Sequence, residues 1–453
     1  MKNVDRSTRF DGRRVDCASM SRVGWHAMSN EEWRERGSTD LGKQLRRHSF
    51  DVATPSQLAV CLAVLALLGS SLTPSSYSAG LANPQSANQQ FQQVDRGIEH
   101  LRITRGHKSE NETTGPWVIN LLRVDLSQVE LRIAHALDEG VGLETTSSIA
   151  ARYGATAAVN AGFFRTTGTY RGESSGVLVL DGKLISEPVD GRAAFGLIRS
   201  SGVADIMFGH LKFSGYVQSG RGRRFAVNGM NRPRGVDELV VYTPEFHKTT
   251  LTTPDGVEVI VRRNRIIRIR AGEGSSVTPL DGFVISASGS AREWVLANLR
   301  AGSPVRLDSK LLPVESQMTD SWRRAACVVG GGPQLIRDGM VAITFEEEKI
   351  EAKFVTDRHP RTSIARLRDG RMLVATVDGR QPGVSAGMSL PELANLLLEF
   401  GARDAINLDG GGSTTMVVSG KLVNNPSDQT GERPVSDAIL IFPGKLQQTA
   451  RVH

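Results

Sequence analysis

The chain has 453 residues, a formal charge of +7, 47 glycines and 6% aromatic residues. That length fits two or three average domains, or one large domain with extensions, and the glycine-rich, aromatic-poor composition leans toward β structure with many turns. Residues 1–56 hold 11 Lys/Arg against 8 Asp/Glu, and no basic block interleaved with aromatics appears elsewhere. A nucleic-acid partner is therefore not indicated, whereas an anionic small ligand is compatible with the charge.

In chain order, the first signal is "LAVCLAVLALL", Leu58 to Leu68, eleven apolar residues behind the basic "KQLRRH". It is too short for a standard span of about 20 residues, so no stable membrane span is expected beyond a signal or anchor. Small residues follow it, as in a secretory signal with a long n-region, and cleavage after Ser78 or Ala82 fits the small-x-small rule. The competing readings are a start at Met28 and an uncleaved anchor. The expected location is secreted or cell-envelope. Removal of residues 1–82 takes away Cys17 and Cys61. Cys327, in the apolar run "AACVV", then stands alone as a core residue, and a sizeable core rather than a disulfide must stabilise the fold.

"NPQSANQQFQQ", Asn83 to Gln93, is polar and lacks apolar periodicity, so residues 83–97 read as a linker. Residues 98–445 follow as one domain, with a possible subregion at 208–312 and a tail at 446–453. Within the domain, short β-type runs alternate with turn pairs. Asp181, Asp338 and Asp369 each precede glycine between two such runs, which is hairpin chemistry.

One segment departs from that pattern. In "SLPELANLLLEFGA", Ser389 and Glu392 have capping-box spacing, Leu390, Leu393, Leu397 and Phe400 share a helical face, and Gly401 stands at the C′ position. "MLVATV" before it and "AINL" after it read as strands, each ending in Asp-Gly. If the two strands are parallel neighbours, Asp378 and Asp409 leave the sheet at one edge, where α/β sheets gather ligand sites. The expected fold is α+β: a single large domain rich in antiparallel sheet, with this strand–helix–strand unit near its C-terminal end.

The polar candidates remain open on local grounds. Asp378 leads into a helix rather than a return strand, so loop structure and function stand level. Asp409 precedes Gly410, Gly411 and Gly412, more glycine than a tight turn needs. Glycine permits close backbone approach and exposes N–H groups to anions, yet a glycine-rich turn fits the same spacing. No G-K-[ST] follows, which excludes a P-loop. Asn160 interrupts the buried run "AAVNAGFF" and reads either as a site residue or as one satisfying nearby backbone. "RHPRTSIA" sets Arg361, Thr362 and Ser363 at the start of a strand, with His359 an ordinary residue before proline. Arginine's planar fork suits phosphate, although a solvated arginine is the commoner fate. Asn231, Arg232 and Arg234 lie in a polar loop, and Glu173 in "RGESSG". The nine histidines show neither H-E-x-x-H nor a cysteine pairing, so no metal and no cofactor is expected. No G-x-S-x-G elbow supports a serine hydrolase. Carboxylates, arginines and a glycine loop point to sugar or phosphate chemistry without choosing between them.

"AVNAGFF", "NRPRG", "ELVVYTPEF", "VGGGPQLIRDG", "RHPRTSIA", the stretch from Thr376 to Met416, "NNPSD" and "RPVSDAILIF" occur in this order. Together they resemble the phosphodiester glycosidase family, the relatives of N-acetylglucosamine-1-phosphodiester α-N-acetylglucosaminidase. The likeness runs from about residue 98 to 445 and departs at Ala365, where glycine is expected. The resemblance implies hydrolysis between a sugar's anomeric carbon and a phosphodiester, with a glycan or sugar-phosphate as substrate. An oxocarbenium-like transition state needs a carboxylate beside the anomeric carbon, and the leaving phosphate needs positive charge. On that resemblance Asp409 and Asp378 are the candidate carboxylates and Glu173 the third. Arg361, Arg380 and Arg232 are assigned to phosphate. Asn160, Asn231, Thr362, Ser413 and Thr414 are assigned to sugar hydroxyls or phosphate oxygens, and Gly410 to Gly412 to backbone access. The alternatives are an envelope protein that binds phosphorylated glycans without turnover, and a hydrolase of ordinary glycosides.

Overall fold

A computed structural model describes residues 90–106, 115–200, 203–315 and 319–444. The expected signal segment, the two N-terminal cysteines and the tail lie outside the described residues. Alternating apolar runs punctuated by left-handed turn residues give sheets. Asp181 and Gly182 (φ +48° and +76°) join Leu178–Leu180 to Lys183–Ser186, and Asp338 and Gly339 (φ +50° and +78°) join Gln334–Arg337 to Met340–Val341. Asp369 opens the turn between Arg361–Leu367 and Met372–Val377, with Gly370 at φ +88°. The first two are the primed hairpins expected of Asp-Gly pairs, with positive φ at both central positions; the third hairpin is present too, with only its glycine left-handed.

The sheet that carries the site has eight strands. Its order is Gln92–Asp95, Ile98–Arg105, Trp117–Val124, Met372–Val377, Arg361–Leu367, Ala402–Asn407, Gln334–Arg337 and Met340–Val341, every neighbouring pair antiparallel. The helix Leu390–Glu399 has the expected capping box, with the Ser389 side chain accepting from the Glu392 N–H. Its Leu390, Leu393 and Leu397 are fully buried against one face of this sheet, together with Leu373, Ala375 and Ala405. Truncating any of these leucines to alanine costs about 2–5 kcal/mol.

One expectation is corrected here. Met372–Val377 and Ala402–Asn407 are not neighbours, because Arg361–Leu367 lies between them and pairs antiparallel with both. The two outer strands still run the same way, so their C-terminal ends share an edge with the N-terminal end of the middle strand.

A second sheet, of five strands, has the order Lys421–Leu422, Met416–Val418, Ala157–Asn160, Asp437–Pro443 and Val129–His135. It packs its inner face on the other side of the eight-stranded sheet, where Val159, Met416, Ile439 and Ile441 meet Ile364, Val374 and Ile406. Cys327 is buried in this core as a free thiol. A seven-stranded sheet contributes Leu178, Phe195 and Val329 to it. A further five-stranded sheet spanning Gly229–Ala287 has its own core, including Val241, Val259 and Ile285.

The linker expectation also needs correction: Gln92–Asp95 is a strand paired with Ile98–Arg105. Phe91 packs edge-on to Phe400 with centroids 6.2 Å apart, and Gly97 at φ +72° makes the turn. Phe91 anchors an otherwise glutamine-rich segment. Among the described residues, no helix is long and apolar enough to cross a membrane.

Candidate active site

Two sheet edges meet at one loop. In the eight-stranded sheet, residues after Val377 and Asn407 leave from the same edge at which Arg361 begins its strand. In the five-stranded sheet, the central strand Ala157–Asn160 is antiparallel to Met416–Val418 and Asp437–Pro443. The end of Asn160 therefore adjoins the starts of the other two. The loop 408–415 crosses from the first edge to the second.

Asp409 sits on that crossing and is pinned through its backbone. Its N–H donates to the Ala161 carbonyl (3.0 Å), and its own carbonyl accepts from Asn160 Nδ2 (2.7 Å). Protein encloses the carboxylate, yet the residue keeps some accessible surface. Burial raises its pKa to about 7, with Asp437 pushing the same way; Ser413, Arg433 and the Gly410 N–H oppose this only in part. Ser413 Oγ is itself buried without a hydrogen bond of good geometry. A carboxylate with a pKa near neutrality, on a residue that keeps some accessible surface, is unusual enough to mark a candidate site.

The three glycines are explained by what surrounds them. A Cβ on Gly410 would lie 2.8 Å from the Pro360 carbonyl oxygen, and the Gly411 N–H donates to that same oxygen at 2.8 Å. Gly411 has φ +60°, and a Cβ there would press on Arg380 Nη2 at 3.1 Å. On Gly412 it would collide with Arg433 Nη2 and Asp428 Oδ1. The glycines let two arginines and a proline loop close around Asp409.

Arg380 is exposed, takes the left-handed conformation at φ +60°, and forms no ion pair among the described residues. A non-glycine residue held there costs on the order of 1 kcal/mol and is found preferentially at functional sites. Among the described residues its side chain makes a polar contact with His359 Nδ1, 3.4 Å from Nη2. Arg433 is clamped by Asp428, with Nε and Nη2 donating at 2.7 and 2.9 Å.

The other sequence candidates divide. Asn160, Thr362 and Thr414 are fully buried beneath the loop. Thr362 Oγ1 donates to Asn160 Oδ1 at 2.9 Å, and the Thr415 N–H does so at 3.1 Å. They support the loop and do not face a ligand. Asp378 is 1% exposed, and its carboxylate accepts from Asn424 Nδ2 (3.2 Å) and the Asn425 N–H (3.1 Å). Burial raises its pKa. It ties the 424–425 loop to the sheet edge and is not paired with Asp409.

Arg361 is 1% exposed, so the expected phosphate fork is not available. Nε donates to Met388 O and Nη2 to Phe354 O and Asp357 O, each at 2.8 Å, while the guanidinium stacks on Phe354. Nη1 alone lacks a partner among the described residues. Burial, then Arg380, lowers its pKa to about 10.

Asn231 and Arg232 lie elsewhere. Asn231 satisfies Ile185 O and Thr243, and Arg232 is held by Glu187 (2.5 Å) and Glu238 (2.7 Å). Their polarity serves the sheet spanning Gly229–Ala287, which the local sequence did not distinguish from a ligand loop. Glu173 is buried, ion-paired to Arg165 at 3.1 Å, and raised by burial to about 7. It belongs to that Arg165 cluster and not to the shell of Asp409.

Four residues at the site were not singled out by the sequence: His359, Asp428, Arg433 and Asp437. Asp437 is buried, accepts from the Gly162 N–H at 2.6 Å, and stands at the head of an apolar strand. A carboxylate opening "DAILIF" was the available signal, as was the Asp428 to Arg433 spacing in a polar loop.

With Asp409, Arg380, His359 and Arg433 on one edge, the chain can be compared with known proteins. Residues 255–442 match the phosphodiester glycosidase family. The matched region contains the whole edge cluster, while Asn160 and Glu173 precede it. N-acetylglucosamine-1-phosphodiester alpha-N-acetylglucosaminidase of Mus musculus is 30% identical over 207 residues, covering 42% of this chain and 38% of that protein. The Homo sapiens enzyme of the same name gives the same identity and coverage. The chain thus spans well under half the length of these curated relatives. Among solved structures, a Burkholderia pseudomallei protein described as exported is 28% identical with TM-score 0.65, over 73% of this chain and 75% of that one. A hypothetical protein from Synechocystis is 24% identical with TM-score 0.65, over 77% of this chain and 62% of that one, and shows the shared fold.

Proposed function

We propose that the chain is an exported hydrolase of sugar-1-phosphodiesters, cleaving between the anomeric carbon and the phosphate oxygen. The observation that carries this reading is Asp409, a partly accessible residue whose carboxyl is raised to about 7, beside an arginine with no carboxylate ion pair among the described residues. Ionised Asp409 stabilises the oxocarbenium-like carbon and takes a proton from the attacking water. The water oxygen bonds to the anomeric carbon as the carbon–oxygen bond to phosphate breaks, and the phosphomonoester departs with the bonding pair. Phosphate is a weak base, so it needs positive charge more than a strong acid. Arg380 supplies that charge, and Arg433, fixed by Asp428, borders the site. Export rests on the Leu58–Leu68 segment, and a cell-envelope or exopolysaccharide glycan is the substrate class that location supplies.

The test is turnover by the purified protein of a sugar-1-phosphodiester against the matching neutral glycoside. Release of sugar from the phosphodiester alone, lost in Asp409→Asn and at least tenfold reduced in Arg380→Ala, is the expected result. Tight binding without sugar release in wild type would overturn the enzyme reading. Equal loss on both substrates in Arg380→Ala would point to ordinary glycosides.

A further inference from the structure

The loop carrying His359 is held more firmly than a surface histidine requires. The His359 N–H and carbonyl both pair with Met388, at 3.3 and 3.0 Å. Three glycines press against the loop: a Cβ would lie 2.5 Å from His359 O if placed on Gly387, 2.7 Å from Pro360 N on Gly379, and 2.8 Å from Pro360 O on Gly410. The half-buried ring is thereby fixed with Nδ1 at 3.4 Å from Arg380 Nη2, and Nε2 has no hydrogen-bond partner among the described residues. Two guanidiniums face it, those of Arg361 and Arg380, while Lys353 and Asp357 approach from the neighbouring helix and its end. Asp409, Asp428 and Arg433 complete the charges around Arg380.

We propose that His359 is a second ligand of the anion held by Arg380, and that it takes up one proton when a doubly charged oxyanion binds there. The inference rests on the reading of Arg380 as an anion ligand. In the free protein the histidine is kept neutral, at a pKa of about 4, by burial first and then by the two arginines. An oxyanion seated against Arg380 offsets the positive charge that faces the ring and offers the ring an acceptor. Both effects favour imidazolium. The consequence for the reaction is selective. A phosphodiester carries one negative charge, and the departing phosphomonoester gains a second. His359 therefore favours the charge that develops on the leaving group over the charge already on the substrate.

The probe is sulfate, which stays dianionic across the working pH range. The binding protein is the Asp409→Asn variant, so that Asp409 does not titrate alongside. A group rising from about 4 to the ordinary histidine value near 6.5 gives, by linkage, roughly five- to tenfold tighter binding at pH 5.5 than at pH 7.5. Calorimetry in buffers of different ionisation enthalpy should then report uptake approaching one proton at pH 5.5. In Asp409→Asn/His359→Gln, affinity is expected to change less than about twofold over that range, without proton uptake; His359→Asn in the same background checks that result. Equal pH slopes with and without His359 overturn the proposal while leaving Arg380 as an anion ligand. If sulfate does not bind, or binds as well after Arg380→Ala, the anion site itself is wrong and the proposal falls with it.

Discussion

Replacing Asp409 by asparagine should remove activity and, at alkaline pH, stabilise the protein. The carboxyl is raised from 3.8 to about 7, so the folded state holds this proton more tightly than the unfolded chain does. Ionised Asp409 is therefore a cost to the fold. That cost is absent below about pH 4, grows between pH 4 and 7, and is complete above pH 7. Three pKa units correspond to about 4 kcal/mol as a ceiling. Solvent reaches the residue, so screening reduces this to about 1–2 kcal/mol. The assay is paired thermal or urea unfolding of wild type and Asp409→Asn at pH 4 and pH 8. The variant should be about 1–2 kcal/mol more stable at pH 8 and within about 0.5 kcal/mol at pH 4. Taking the difference between the two proteins cancels the titration of Glu173 and other acids. A variant no more stable than wild type at pH 8, or a gain equal at both pH values, would refute the argument from burial.

Three further outcomes follow from the contacts. Asp378→Asn faces two N–H donors with one fewer acceptor, so stability should fall by about 1–3 kcal/mol; activity per folded molecule, by active-site titration or soluble yield, should stay within about fivefold. Arg361→Met leaves three backbone carbonyls without their donor and should lower stability by about 2–4 kcal/mol in urea unfolding, whereas Arg380→Ala should leave the midpoint nearly unchanged while activity drops. Gly412→Ala pushes a methyl into the Arg433–Asp428 pair; turnover should fall at least about tenfold, with a crystal structure expected to show the pair displaced.

Local chemistry made much of the fold legible. Asp181, Asp338 and the Ser389–Glu392 box each determine a turn or a cap from a few residues, and each stands where the spacing predicts. Strand order was not legible in the same way. Nothing near Met372–Val377 says that Arg361–Leu367 will come between it and Ala402–Asn407, because pairing partners are chosen by long-range packing. The site was half legible for a related reason. Three glycines drew attention to Asp409, although a glycine-rich turn fits the same spacing, and Arg380 entered only through the family resemblance. Arg361, Asn160, Asn231 and Arg232 share the polar character of ligand residues, but their hydrogen bonds go to other protein groups, several from distant segments such as Met388, Asp409, Ile185 and Glu187. His359 looked ordinary because its neighbours Arg380, Gly379 and Gly387 come from a different loop.

The crossing loop has a consequence for how the protein can vary. Residues 408–415 are the whole tether between a strand of one sheet and a strand of the other, and both strands are buried on their inner faces. Adding or deleting one residue there leaves two ways to absorb the change. One is to slip a strand by one position, which turns every side chain of that strand to the opposite face. The other is to distort the three glycines that pack against Pro360, Arg380 and Arg433. The length of this tether is therefore as constrained as its composition, and insertions that diversify the substrate should fall in the surrounding loops instead.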